Sequence, residues 1–263
     1  MIRGLLDSAV LSRLRARCDH FATAIAPELP PSIVIYDEPD GTIRHITDVG
    51  VHDHGSVWGE AEAHPAVLAL AEQVLLPSRR LQRDPPDGAA AVSSEVFWKP
   101  AGAGWRAPAH QDNAYVFYRP GRCDAAAVWI ALDDAGAASG GLRYALGSHR
   151  LGNLPHVLGT EPPFSKAMTA EALRSIEPDS QSERRHCPWV DIDLSAGDAV
   201  CHSYLTIHAS GPNESELPRR GLVLNITGQE AEVDGGLRAA HAKAVAKQRG
   251  VAEWRLAGDR PGE

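Results

Sequence analysis

The feature that most constrains this fold is an alternation of short β-prone runs with turn residues between residues 91 and 230. Apolar and β-branched side chains fill runs at 92–99, 125–132, 190–194 and 220–227, and Gly, Pro or Asp lies close to each run. Many short strands joined by such turns are typical of a jelly roll or barrel, in which strand side chains can line an interior cavity. The sequence therefore predicts a β core over residues 91–230.

Helical segments flank this core. Apolar residues recur at three- and four-residue steps over 5–26 and 64–76, which predicts two amphipathic helices before the core. A basic, alanine-rich stretch predicts a C-terminal helix within 234–254. We therefore expect a single domain over 1–263 that is mainly β with flanking helices, with a helical N-terminal part at 1–90.

Other segments carry more local predictions. β-prone runs at 32–36 and 42–46, separated by turn residues, predict a hairpin, and 114–118 is a further strand candidate. Residues 151–190 are proline-rich and irregular, apart from a short helical patch at 167–175. A long insertion of this kind in a β domain is usually functional, so we interpret it as a flap over the site.

Composition limits the possible partners and location. The chain has a formal net charge of −8, a pI of about 5.8 and no long Lys/Arg run, which argues against a nucleic-acid partner. No apolar run approaches the length of a membrane span and no signal pattern is evident, so we expect a cytoplasmic protein without a membrane partner. The four cysteines form no Cys-x-x-Cys pair and are expected to be free thiols. The oligomeric state is left open.

A His-x-Asp pair supplies the candidate chemistry. On a regular strand, His110 and Asp112 would present an imidazole and a carboxylate on one face, because side chains alternate with period two. A distal histidine, His208, could complete a set of three ligands. Two histidines and one carboxylate with open positions are used by non-haem Fe(II) oxygenases. The alternative is that His110 and Asp112 form a hydrogen-bonded pair in a surface loop.

Other histidines compete for this role. His52, Asp53 and His54 form a second cluster, which we interpret as a solvated loop because glycines surround it. His202 lies six residues before His208, on the same strand face if the strand is regular. It is a reserve ligand, although a hydrogen-bonded neighbour of the site is the favoured interpretation.

An ordered set of motifs between about residue 92 and residue 228 resembles the phytanoyl-CoA dioxygenase family of Fe(II)- and 2-oxoglutarate-dependent oxygenases. The matching residues are Lys99, His110-Gln111-Asp112, Tyr118-Arg119-Pro120, Trp129, Gly141-Leu142, Gly147-Ser148-His149-Arg150, Gly197-Asp198, His208-Ala209-Ser210-Gly211-Pro212-Asn213 and Pro218-Arg219. The chain departs from the family at Gly140, where an asparagine is usual, and at Leu146, where a proline is usual.

The resemblance implies a double-stranded β-helix, which is a cupin-like jelly roll, and a cofactor set of Fe(II) with 2-oxoglutarate and O2 as co-substrates. It implies that the iron ligands are His110, Asp112 and His208. It also implies that Arg219 binds the distal carboxylate of 2-oxoglutarate, in a pocket lined by Lys99, Trp129 and Ser210.

The residues alone leave simpler alternatives open. Arginine offers a planar fork that binds a carboxylate bidentately, but Arg219 could instead be half of a surface pair with Arg220. Lys99 could be a strand-end lysine that reaches water, and Trp129 could be a core aromatic residue. Ser210 could simply be a turn residue in a loop.

The resemblance also implies a reaction class. Related iron halogenases lack the ligand carboxylate, so the presence of Asp112 favours oxidation of a C–H bond over halogenation. We expect a small, partly apolar substrate from natural-product biosynthesis, with Tyr115, Phe117 and Tyr118 near the entrance. Two alternatives are a non-catalytic jelly-roll protein that binds small molecules and a cupin-type isomerase that uses its metal as a Lewis acid.

Overall fold

The computed structural model describes residues 1–37, 41–53, 56–75, 80–82, 91–158, 166–177 and 186–249. Within them the helices are α1 (Ser8–His20), α2 (Val49–His52), α3 (Ser56–Glu62), α4 (Pro65–Val74), α5 (Asn113–Val116), α6 (Ala170–Arg174) and α7 (Gly235–Arg249). The strands are β1 (Val34–Tyr36), β2 (Ile43–Ile46), β3 (Val92–Lys99), β4 (Ala107–His110), β5 (Ala125–Ala131), β6 (Leu142–Ala145), β7 (His156–Leu158), β8 (Lys166–Met168), β9 (Trp189–Asp191), β10 (Ala199–Ser203), β11 (His208–Ser210) and β12 (Arg219–Thr227).

Two antiparallel sheets form the core, as the predicted jelly roll requires. The larger sheet has the strand order β1-β2-β3-β12-β5-β10, and the smaller has the order β4-β11-β6-β9. Successive side chains of β12 point to opposite faces of the larger sheet. Leu222, Leu224 and Ile226 pack into the cluster that contains α1 and α4, whereas Val223 joins the cluster between the sheets with Trp129. The fold class is therefore confirmed as mainly β with flanking helices.

The N-terminal part is helical but also contributes strands. The helix predicted at 5–26 is α1, which begins after Asp7, whose carboxylate accepts hydrogen bonds from the N–H groups of Ala9 and Val10. The helix predicted at 64–76 is α4. The predicted hairpin is also present, because β1 pairs with β2 in antiparallel register, and β2 continues onto β3 of the larger sheet.

The strand predicted at 114–118 is wrong. The segment forms the short helix α5, and Phe117 then takes a left-handed conformation with φ 67°. The Asn113 side chain fixes this turn, because its Oδ1 accepts from the N–H of Tyr118 at 2.8 Å and its Nδ2 donates to the carbonyl of Tyr118 at 3.0 Å. A side chain that bonds local backbone in this way competes with strand pairing.

The 151–190 insertion contains more regular structure than its sequence predicted. β7 pairs with β8 as a two-stranded sheet, and α6 lies within the predicted helical patch. Residues 159–165 and 178–185 lie outside the described residues, and the flap interpretation stays a prediction. At the C-terminus α7 agrees with the predicted helix as far as Arg249, and the rest of that prediction also falls outside the described residues.

The cysteines and the helices can be compared with the expectations from composition. All four cysteines are free; Cys18, Cys123 and Cys187 are buried, and Cys201 is half-buried. Within the described ranges, no helix combines the length and apolar character that a bilayer span requires.

Candidate metal centre

Two histidines face each other across neighbouring strands of the smaller sheet. His110 is the last residue of β4 and His208 is the first residue of β11, and the two are register partners. Their ring centroids lie 4.3 Å apart. Strand pairing therefore brings together two imidazoles that are far apart in sequence.

Asp112 lies in a turn that places its carboxylate beside both imidazoles. The prediction that His110 and Asp112 share one strand is wrong, because β4 ends at His110 and Asp112 has the helical angles φ −59° and ψ −31° just before α5. This turn brings Asp112 Oδ1 to 3.6 Å from His110 Nε2 and 3.4 Å from His208 Nε2. His110 therefore lies on a strand and not in a surface loop, and the potential ligand atoms of the three residues lie within 4.8 Å of one another.

Gln111, between the two candidate ligands in sequence, anchors this turn to the neighbouring backbone. Its side chain is buried and donates to the carbonyls of Gly152 and Leu205 at 2.8 and 2.7 Å. Its Oε1 accepts from the N–H of Leu154 at 2.8 Å. Sequence reasoning missed this role, because its partners lie 41 to 94 residues away.

The orientation of the imidazoles suits a metal ion. His110 Nδ1 donates to the carbonyl of Pro108 at 2.7 Å, and His208 Nδ1 donates to that of Thr206 at 3.1 Å. When Nδ1 carries the proton, Nε2 presents a lone pair, and such carbonyl partners are typical of metal-binding histidines. Both Nε2 atoms face Asp112, so the three residues fit the group that the fold family implies.

The protonation states also fit a cation. Burial, assisted by the nearby His110 and His202, lowers the pKa of His208 to about 3 although Asp112 opposes the shift. Burial alone would raise the pKa of Asp112, but the attraction of His208 and the close approach of His110 and His202 hold it well below its usual range. A neutral imidazole and an ionised carboxylate are the forms that bind metals.

His202 is a neighbour of the site. The predicted shared strand is wrong, because β10 ends at Ser203, so His202 belongs to the larger sheet and His208 to the smaller. His202 Nε2 lies 2.9 Å from Asp112 Oδ2, and its Nδ1 lies 3.0 Å from the hydroxyl oxygen of Tyr144. Both ring nitrogens therefore have hydrogen-bond partners.

The rival cluster at residues 52–54 is partly described. Asp53 is buried, pairs with Arg17 and accepts a hydrogen bond from Trp58 Nε1 at 2.9 Å. The solvated-loop interpretation is therefore wrong for Asp53, while His54 lies outside the described residues. Across the described residues, only His110, Asp112 and His208 meet as a trio of potential metal ligands.

A second group of predicted site residues forms a buried cluster around two basic side chains, which we call the cationic pocket. Lys99, at the end of β3, is register partner of Arg219 at the start of β12, and they are 0% and 2% exposed. Lys99 Nζ donates to Ser210 Oγ at 2.8 Å, and the Arg219 guanidinium lies 5.5 Å from the ring centroid of Trp129. The structure thus brings Lys99, Arg219, Ser210 and Trp129 together.

This burial overturns the simpler alternatives for the two cations. Lys99 does not reach water, and Arg219 is no surface partner of Arg220, which faces the other way and binds Asp133. Burial, reinforced by the positive charges of Arg219 and Arg44, lowers the pKa of Lys99 to about 6. Burial also lowers the pKa of Arg219 to about 10. An anion in the pocket would relieve both shifts.

Arg219 retains unused binding capacity. Its Nη2 donates to the carbonyl of Gly140, but its buried Nε has no hydrogen-bond partner among the described residues. An unpaired buried donor is costly, so its presence favours a ligand acceptor in the pocket.

Two glycines show why the pocket needs residues without side chains. Gly140 departs from the family pattern, yet its φ of 71° and a Cβ position 2.7 Å from the carbonyl oxygen of Gly211 disfavour any larger residue. A Cβ at Gly221 would lie 2.0 Å from Trp129 Cζ2. The indole therefore packs directly on the backbone of β12, beside Arg219.

Comparisons with known proteins agree with this fold. Phytanoyl-CoA dioxygenase 1 of Oryza sativa subsp. japonica is 24% identical over 195 residues, or 73% of this chain. The aligned part spans 62% of the rice protein's length. Among solved structures, the epimerase SnoN in complex with Fe3+, alpha ketoglutarate and nogalamycin RO has a TM-score of 0.65 at 19% identity, covering 100% of this chain and 90% of that chain.

Two further structures share the fold. EvdO2 from Micromonospora carbonacea var. aurantiaca, complexed with 2-oxoglutarate, has a TM-score of 0.59 at 22% identity, covering 88% of this chain and 86% of its own. The non-heme monooxygenase ThoJ has a TM-score of 0.62 at 23% identity, covering 89% of this chain and 75% of its own. A family model described as phytanoyl-CoA dioxygenase (PhyH) matches residues 1–221. The predicted resemblance is thus confirmed, and the chain belongs to the phytanoyl-CoA dioxygenase family.

Proposed function

We propose that this protein is an Fe(II)- and 2-oxoglutarate-dependent oxygenase that oxidises a C–H bond of a small organic molecule. The observation that carries the proposal is the convergence of His110, Asp112 and His208, whose ligand atoms lie within 4.8 Å of one another. Two imidazoles and one carboxylate are the ligand set of non-haem Fe(II) oxygenases.

The three side chains would hold iron in the protonation states already described. Bound iron of this type supplies O2 activation coupled to the conversion of 2-oxoglutarate to succinate and CO2. The protein's own contribution is to fix the ligands. The carbonyls of Pro108 and Thr206 set the imidazole tautomers, and Gln111 anchors the turn between His110 and Asp112.

The cationic pocket would bind the distal carboxylate of 2-oxoglutarate. Arg219 has an unpaired buried Nε, and Lys99 lies opposite it, so a carboxylate there would gain charge-assisted hydrogen bonds from two fixed donors. Ser210 orients Lys99, and Trp129 packs beside the guanidinium. Complexes of similar folds with 2-oxoglutarate support this assignment.

The presence of Asp112 supports hydroxylation or a related oxidation over halogenation, because the carboxylate occupies the position that a halide would need. The SnoN complex contains nogalamycin RO, which supports a natural-product substrate for this fold. Tyr115 packs edge-on against His110 with ring centroids 5.6 Å apart and would border the substrate. Tyr118 instead contacts Tyr204 and Thr227 in the interior. The proposed setting is the cytoplasm.

The test is anaerobic titration of the purified protein with Fe(II) and 2-oxoglutarate. We expect a weak visible charge-transfer band, and release of succinate and CO2 after O2 is admitted. Asp112→Ala should abolish both signals, whereas Asp191→Ala, which removes an exposed carboxylate of β9, should retain them.

The same experiment separates the alternatives. A non-catalytic binding protein would release no succinate with any candidate substrate. A metal isomerase would convert its substrate without O2 or 2-oxoglutarate. Absence of the band from wild-type protein at saturating Fe(II) and 2-oxoglutarate would contradict the proposed function.

A further inference from the structure

The two oxygens of the Asp112 carboxylate face different partners. Oδ1 lies 3.6 Å from His110 Nε2 and 3.4 Å from His208 Nε2, at the candidate metal position. Oδ2 lies 2.9 Å from His202 Nε2. The carboxylate is therefore divided between the metal position and a third imidazole that belongs to the other sheet.

Tyr144 is the hydrogen-bond partner of the other ring nitrogen of His202. Its hydroxyl oxygen lies 3.0 Å from His202 Nδ1. A neutral imidazole carries one N–H, so when the phenol donates to Nδ1, the proton must reside on Nε2, which then donates to Asp112. Tyr144 and His202 are 5% and 7% exposed, so water competes little for these hydrogen bonds.

Tyr144 and His202, which form the hydrogen bonds leading to Asp112, both lie on paired strands. Tyr144, on β6, is the register partner of His208, and His202 is the fourth residue of β10, paired with Ala127. The His202 ring packs against those of Tyr144 and His208, with centroids 5.2 and 4.7 Å apart. Strand pairing in both sheets thus fixes the direction from which the donor approaches Oδ2.

We propose that His202 is a positioning residue that engages Asp112 Oδ2 and thereby leaves only Oδ1 to bind the metal, with Tyr144 fixing the imidazole tautomer. This inference rests on the proposed function. Carboxylates bind metals through one oxygen or two. In a six-coordinate ion, two imidazoles and one oxygen leave three positions, enough for chelating 2-oxoglutarate and O2. A second carboxylate oxygen would remove one of them.

The test uses Co(II), whose visible absorption reports coordination number, and it measures metal affinity by calorimetry. His202→Phe removes the donor and keeps a ring of similar size, while His202→Gln keeps an amide donor. His20→Phe, at an exposed position of α1, is the matched control. For His202→Phe we expect Co(II) affinity to fall about 10- to 100-fold, as is typical when a partner of a metal ligand is removed.

Two further readouts distinguish positioning from a merely structural role. The Co(II) spectrum of His202→Phe should change towards higher coordination, and 2-oxoglutarate should bind the Co(II)-loaded variant more weakly. His202→Gln should restore most of both properties. Tyr144→Phe leaves His202 in place but frees its tautomer, so it should shift the spectrum in the same direction by a smaller amount. This second variant keeps the test decisive if His202→Phe fails to fold.

The inference is overturned if a folded His202→Phe or Tyr144→Phe protein retains the wild-type Co(II) spectrum and both affinities. Failure of the wild-type protein to bind Co(II) would be a different result, because it would overturn the proposed function itself. A lower melting temperature with an unchanged spectrum would show that His202 serves stability alone, against the inference.

Discussion

Lys99 and Arg219 are register partners on β3 and β12, so two buried basic side chains lie directly opposite each other in the larger sheet. Protonation of both side chains would bring like charges together without hydration, which is unfavourable unless an anion lies nearby. The arrangement is therefore better suited to binding a carboxylate than to stabilising the fold. It links the architecture of the sheet to the co-substrate that we propose.

Replacement of Arg219 by methionine should weaken 2-oxoglutarate binding selectively. Loss of a buried charged donor should raise the Kd at least about 30-fold, the equivalent of roughly 2 kcal/mol. Calorimetry with the metal-loaded protein measures this change. Arg220→Met is the matched control, because Arg220 points to the opposite face and pairs with Asp133. Equal loss of affinity in both variants would contradict the assignment of Arg219.

Binding of 2-oxoglutarate should be accompanied by proton uptake at Lys99. Burial and the neighbouring guanidinium groups lower the pKa of Lys99 to about 6, so the amine is largely neutral at pH 8. A bound carboxylate raises this pKa and draws a proton onto Nζ. Calorimetry in buffers of different ionisation enthalpy should show uptake approaching one proton, and Lys99→Met should abolish it. A binding heat that is independent of buffer would refute this linkage.

Gln111→Met should destabilise the fold despite its similar volume. The change leaves the carbonyls of Gly152 and Leu205 and the N–H of Leu154 without their side-chain partner. We expect the free energy of unfolding to fall by about 3 kcal/mol, because buried polar groups are left unpaired. Chemical denaturation measures the loss. Gln73→Met on the exposed face of α4 should change stability by less than about 0.5 kcal/mol.

Gly221→Ala should displace Trp129. A Cβ would lie 2.0 Å from Trp129 Cζ2, and overpacking of this kind typically costs about 1–3 kcal/mol. Because Trp129 packs beside Arg219, 2-oxoglutarate affinity should fall as well. The control is Gly59→Ala in α3, where the space is open and alanine should stabilise the helix by up to about 1 kcal/mol. Matching effects of the two changes would be inconsistent with the packing described.

Sequence reasoning located the elements better than it located their contacts. The strands at 92–99 and 220–227 and the helices α1 and α4 follow from apolar periodicity, which is a local property. The turn after β4 does not follow from periodicity. Its backbone is held by side-chain hydrogen bonds, from Gln111 to the distant Gly152 and between Asn113 and the nearby Tyr118. The ligand roles of His110, Asp112 and His208 stay a prediction.

The contacts of the candidate metal centre and of the cationic pocket were harder to foresee for a related reason. His202 meets Asp112 across 90 residues of sequence, and its orientation depends on Tyr144 from another strand. Whether Lys99 and Arg219 reach water depends on the face of the sheet that they occupy. That face is decided by register, and a shift of one residue would reverse it.

The β1–β2 hairpin has a consequence for the integrity of the larger sheet. β2 pairs with β3, so β3 is an interior strand with neighbours on both sides. In a shortened chain beginning at Ala91, β3 would become an exposed edge strand with unpaired N–H and C=O groups. Such edge strands pair with strands of other molecules. β1 and β2 thus protect the larger sheet against edge-to-edge association, and removing them would favour fibrous or amorphous aggregates over the folded jelly roll.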